Sequence, residues 1–197
     1  MNLIFEEDKK THGNIFKEII IWVICIALSI LAGYLVTEYA IEKTTVSGDS
    51  MNSTLEDGEV ILINKLAYKL STPKRFDVIV FMQKDKEHAY YNIKRIVGLP
   101  GEKVAIKDGC VYINGDKISE KVIVEAINNP GLASETITLK DDEYFVLGDN
   151  RNQSEDSRFA NISMIKTDEI IGKAWLRLKP FGFIDKLNRL EDMQEEE

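Results

Sequence analysis

The chain has 197 residues, 44% of them hydrophobic, and a formal charge of −8. Setting a membrane segment aside leaves roughly 150 residues, enough for one hydrophobic core and too few for two ordinary domains. The acidic balance excludes the Lys/Arg-dense face that phosphate recognition needs, so no nucleic-acid partner is expected.

Residues 1–18 are polar and mixed in charge, with Lys9, Lys10 and Lys17 beside Glu6, Glu7, Asp8 and Glu18, and no fold is evident there. Residues 19–36 then run without a charge through Trp22, Ile24, Leu28, Leu31 and Leu35. At 1.5 Å per residue this covers about 27 Å, close to the hydrocarbon thickness of a bilayer. Trp22 and Tyr34 fall near its two ends, where amphipathic rings favour the interface. A cleavable signal peptide is the competing reading, but the run is too long and no small-x-small site follows in residues 37–42. Three lysines precede the run and only Lys43 follows closely, which places the N-terminus in the cytoplasm. The expected organisation is a cytoplasmic segment (1–18), a single-pass anchor in the cell membrane (19–36), an extracytoplasmic β-rich domain (37–190) and an acidic tail (191–197). Cys25 lies inside the anchor and Cys110 in the folded domain, so both thiols are expected to be unpaired.

The first motif after the anchor is Val46-Ser47-Gly48-Asp49-Ser50-Met51-Asn52-Ser53-Thr54-Leu55. Ser50 follows a glycine-containing turn and precedes an apolar residue. A serine hydroxyl becomes a nucleophile only when a nearby base takes its proton.

Short apolar segments separated by Gly, Pro, Asn and Asp follow, and residues 59–64, 76–81, 90–97, 103–106, 110–113 and 143–147 read as strands. Asn114-Gly115 is the strongest hairpin signal, because a type I′ turn needs positive φ at both central residues. Helical periodicity is confined to short stretches at 66–70, 167–171 and 183–190. The fold class is mostly β: an antiparallel, barrel-like sheet domain on one N-terminal transmembrane helix.

The base for Ser50 has three candidates. His12 falls on the cytoplasmic side of the anchor, and His88 lies in the charged run of residues 83–88, which reads as an exposed loop. Lys94 sits in the strand 90–97, where alternation puts it on the face of Tyr90, Asn92 and Ile96 and opposite Arg95. A lysine pKa near 10.4 leaves only about one neutral amine in a thousand at neutral pH. Burial can lower the value by ~3 units at a cost of about 4 kcal/mol of stability. The bland alternative for Lys94 is a snorkelling side chain, or one paired with an acid at a strand end.

Residues 148–158 form a polar loop straight after a strand, carrying Gly148, Asp149, Asn150, Arg151, Ser154, Asp156 and Arg158. It reads either as a surface turn or as support for a catalytic lysine, with Ser154 donating to the amine and Asp/Arg pairs holding the loop. The spacing does not match a calcium loop, and no metal is expected.

Together these stretches resemble the bacterial type I signal peptidases, membrane-bound enzymes that remove signal sequences from exported proteins. Residues 48–55 resemble the family's nucleophile box, 75–81 its structural strand box, 94–102 its general-base box and 148–158 its last box. The resemblance implies a Ser50/Lys94 dyad with Ser154 orienting the lysine amine and no cofactor. It further implies an Asp149–Arg95 pair, an Asp156–Arg158 pair buttressing the loop, and an oxyanion hole using the backbone N–H of Ser50. Gly48 stands where some members carry a helping serine, so only its backbone or water could serve. Ser53 replaces a usual proline, which is expected to loosen that turn, and Phe76 stands where many members have glycine. The short interval between the last two boxes implies a reduced second β subdomain at about 107–140, as in Gram-positive relatives. The implied substrates are preproteins with small residues at −1 and −3 of the signal peptide, bound as an added strand. Two rivals are a self-cleaving Ser/Lys enzyme like the SOS-response repressors and a non-catalytic, membrane-tethered β domain that binds export substrates.

Overall fold

The computed structural model describes residues 4–84, 89–120, 122 and 124–186. His88 and the acidic tail 191–197 lie outside the described residues. Two compact units divide at Ala40/Ile41.

The first unit is one helix, α1 (Ile4–Ala40). Residues 15–40 are apolar enough to cross a membrane, with a mean hydropathy of 2.8 in the best window. The helix extends well beyond the expected 19–36 at both ends. No proline interrupts residues 4–18, and good helix formers recur there (Glu6, Glu7, Lys9, Lys10, Lys17, Glu18), so the helix propagates from the apolar run into the polar segment. Cys25 and Cys110 are both unpaired.

The second unit begins at Ile41, four residues after the expected boundary. Its large sheet is antiparallel and runs in the order β1 (Ile41–Thr45), β2 (Val60–Asn64), β11 (Ile170–Leu178), β3 (Val78–Lys84), β4 (Ala89–Gly98), β9 (Glu143–Leu147), β10 (Ile165–Lys166), with β12 (Phe181–Phe183) paired to β11. The sheet is open, with β1 and β10 at the ends of this order. A short helix, α2 (Ala67–Leu70), follows β2, and 3₁₀ turns occupy Thr167–Glu169 and Ile184–Lys186. Alternation along β3 sends Val78 and Val80 to a core with Met51, Leu55, Ile61 and Ile63, and sends Ile79 and Phe81 to the opposite face with Ile96 and Val146. Both faces are therefore covered, which is why β9 is buried at all five positions.

The small sheet has the order β7 (Asp116–Lys117), β6 (Cys110–Ile113), β5 (Lys103–Lys107), β8 (Ile137–Thr138) and its own core of Val104, Ile106, Val111 and Leu139. It starts at Lys103, not at 107, because β5 pairs with β6 and β8 and with no strand of the large sheet. The Asn114-Gly115 hairpin forms as expected, with φ of 54° and 96°.

Candidate active site

Three segments converge on Ser50. The turn that carries it is tied by its own backbone: Asn52 N–H donates to Asp49 O at 3.0 Å, and Leu55 N–H to Met51 O at 2.8 Å. Met51 and Leu55 sink into the core and anchor that turn from below. Strand β4, third from one end of the sheet order, carries Lys94 and Arg95 on opposite faces. The polar loop after β9 closes the site, and Asn150 N–H donates to Ser50 O at 3.1 Å.

Lys94 Nζ donates to Ser50 Oγ at 2.7 Å. The lysine is buried, with 3% of its surface exposed, and among the described residues it has no carboxylate at ion-pair distance. The snorkelling and acid-paired alternatives are thereby excluded. Burial lowers its pKa from 10.5 to about 8, against the opposing pull of Asp156, Asp149 and Glu155.

Arg95, equally buried, grips Asp149 with two hydrogen bonds of 2.8 and 2.6 Å. Its remaining nitrogen reaches Phe76 O at 2.9 Å. Phe76 has a φ of 71°, the left-handed region where glycine is favoured, and its N–H donates to Ile96 O at 2.8 Å. Hydrogen bonds to both its N–H and its carbonyl hold a bulky residue in that conformation and delay the start of β3 to Val78.

Asp156 receives Arg158 Nε at 2.7 Å and the Gly148 N–H at 3.1 Å. Arg158 goes on to Arg151 O at 2.6 Å, within the loop, and to Asn129 O at 3.1 Å, tying the loop to the segment that joins β7 to β8. Both Asp/Arg pairs expected from the resemblance are present in the structure. A Cβ placed on Gly148 would collide with Ser154 Oγ and with the Ser50 carbonyl, so the loop closes against Ser50 only with glycine there.

Three expectations need correction. Ser154 Oγ is buried but makes no hydrogen bond, so it does not donate to the Lys94 amine in this structure. The Gly48 N–H is engaged by Asp57 Oδ1 at 2.7 Å and is not open to an oxyanion. Ser53 is not a loosened version of a proline turn: its φ is 85°, which proline cannot adopt, and its N–H donates to Asn52 Oδ1 at 2.6 Å. The Ser50 N–H has no acceptor among the described residues.

Sequence reasoning missed two contributors. Thr54 is buried and donates to Asp149 Oδ2 at 2.6 Å, locking the Ser50 turn to the Asp149–Arg95 pair. Its signal was a hydroxyl residue set directly before the apolar Leu55. Glu120 takes a two-pronged ion pair from the fully buried Arg151, 2.6 Å on one arm. Nothing in the mixed-charge sequence around Glu120, with Lys117 and Lys121 beside it, marked it.

A family model described as signal peptidase, peptidase S26, matches residues 18–179. Signal peptidase IB of Staphylococcus aureus (strain COL) is 32% identical over 181 residues, covering 84% of this chain and 92% of that one. Signal peptidase I of Bacillus licheniformis is 32% identical over 189 residues, covering 91% and 98%. A crystal structure of a signal peptidase I from Enterococcus faecalis aligns at 31% identity with a TM-score of 0.39, covering 51% of this chain and 95% of that one.

Proposed function

The chain belongs to the signal peptidase family, peptidase S26, and from that premise we propose that it removes N-terminal signal peptides from exported preproteins with Ser50 as nucleophile and Lys94 as general base. The observation that carries this reading is the 2.7 Å bond between a buried, cation-disfavouring Lys94 and the Ser50 hydroxyl.

Neutral Lys94 takes the Ser50 proton as Oγ attacks the scissile carbonyl, and the new C–O bond leaves a tetrahedral oxyanion. The open Ser50 N–H donates to that oxyanion; one such donor is typically worth about 2.7–4 kcal/mol. The C–N bond then breaks, and the Lys94 ammonium returns its proton to the departing amine of the mature protein. Lys94, neutral again, deprotonates a water that attacks the acyl-enzyme ester, and Ser50 leaves with the proton. Arg95, Asp149 and Thr54 fix the nucleophile turn, Asp156 and Arg158 fix the loop, and Ser154 is a positioning residue packed over Gly148.

Strand β9 pairs with β4 only from Arg95 to Gly98. The backbone edge of β4 leading up to Lys94 is therefore available to an extended signal peptide as an added strand, its small −1 and −3 side chains facing the sheet. The apolar helix holds the enzyme in the membrane, with the N-terminus cytoplasmic and the peptidase domain on the outer side. Catalyst and tethered substrate thus share a high effective concentration.

The test is cleavage of a preprotein by the detergent-solubilised chain, comparing wild type with Ser50→Ala and Lys94→Ala. Both variants are expected to release no mature fragment. Cleavage by either at the wild-type rate overturns the dyad, and a wild-type chain that cuts no preprotein overturns the enzymatic reading in favour of a non-catalytic binding domain.

A further inference from the structure

Beside the nucleophile turn is an open cavity of about 320 Å³ lined by Asn52, Ser53, Val124, Glu125, Asp149 and Asn150. The β4 edge that would receive the signal peptide ends at Lys94. The cavity is built instead from the residues that follow Ser50 and from the segment that leaves the small sheet. Asn52 is two residues from the nucleophile, at most about 7 Å of extended chain, and Asn150 is bonded through its backbone to Ser50 O.

Among the described residues that line it, the charge of this cavity comes from one group. Asp149 is buried and neutralised by Arg95, Asn52, Ser53, Val124 and Asn150 are uncharged, and the nearby Arg151 is spent on Glu120. Glu125 is exposed, and among the described residues its carboxylate receives only a 3.2 Å hydrogen bond from Asn152. That bond, with Asn152 donating also to Ala126 O at 3.1 Å and accepting from Asn128 N–H at 3.0 Å, holds the wall bearing Glu125 against the catalytic loop.

We infer that this cavity receives the first residues of the mature protein, on the far side of the cut from the signal peptide, and that Glu125 selects there for a cationic side chain over an acidic one. The inference rests on the proposed peptidase reading. Val124 supplies an apolar wall for the aliphatic stem of a Lys or Arg, and Glu125 meets the charged end. The preference is modest, because the pair is solvent-accessible: about threefold in kcat/KM for each unit of charge.

The experiment uses the full chain in detergent and preproteins that differ only at the second or third residue after the cut, as Lys, Gln or Glu. Wild type should rank them Lys over Gln over Glu, with the differences shrinking in high salt. Glu125→Gln should flatten the ranking and Glu125→Lys should reverse it, while Glu135→Gln, an exposed acid outside the cavity, should leave it as in wild type. An unchanged ranking in Glu125→Lys, or no ranking in wild type, overturns the inference while the peptidase reading stands. If wild type cleaves none of the substrates, the underlying reading fails and takes the inference with it.

Discussion

Replacing Lys94 by Met should abolish activity and make the protein more stable. The fold lowers the lysine pKa from 10.5 to about 8, which corresponds to a penalty of about 3 kcal/mol for holding the charged form. Methionine fills a similar volume without that penalty and gives up one hydrogen bond, worth about 1 kcal/mol. The net gain near pH 6 is about 2 kcal/mol, or roughly 4 to 8 °C in Tm for a domain of this size. The sign of the pH dependence follows from linkage. Between the two pKa values the unfolded lysine binds more protons than the folded one, so wild-type stability rises with pH relative to Lys94→Met. The penalty is fully present below about pH 8 and disappears as pH rises toward 10.5, so the advantage of the variant should shrink by about 2 kcal/mol between about pH 6 and 9.5. Thermal unfolding of both proteins in the same detergent at the two pH values gives the double difference. A variant less stable than wild type near pH 6, or a gap that does not change with pH, would refute a depressed Lys94 pKa.

Three further substitutions probe the supports. Gly148→Ala forces a methyl group into Ser154 and the Ser50 carbonyl; it should lower kcat by at least about 100-fold, since displacing the nucleophile by about 1 Å costs that much, and preprotein cleavage checks it. Ser53→Pro cannot adopt a φ of 85° and loses the bond to Asn52, so it should destabilise by more than about 1 kcal/mol, visible as a lower Tm with reduced kcat. Glu120→Ala strands the buried Arg151 charge and should cost about 3–5 kcal/mol in denaturant unfolding.

Most strands were legible because both layers of the large sheet obey period two, and residues 143–147 matched β9 at both ends. Strand β11 was not: its buried positions alternate, but two of them are the small Gly172 and Ala174, and its start was hidden behind the 3₁₀ turn of Thr167–Glu169. Strand β1 is a polar edge strand, Ile41-Glu42-Lys43-Thr44-Thr45, whose pairing with β2 has no apolar signature. The proximity of Ser50 and Lys94, 2.7 Å apart in the structure, was foreshadowed by the resemblance that four ordered motifs carry. The depth of Lys94 and Arg95 together was not, since alternation separates their faces and only the coverage of both faces buries both. The left-handed φ of Ser53 and Phe76 escaped notice because neither is glycine; Ser53 is held by the side chain of the adjacent Asn52, and Phe76 by tertiary hydrogen bonds to Arg95 and Ile96. Thr54 and Glu120 act through partners 95 and 31 residues away, distances at which local pattern carries no information.

The pH dependence of kcat/KM for preprotein cleavage tests the Ser50/Lys94 assignment most directly. The active form is neutral Lys94, so the rate should rise with pH through a single ionisation near 8. A profile flat across that range, or one rising near 6.5 as for histidine, would contradict lysine as the base.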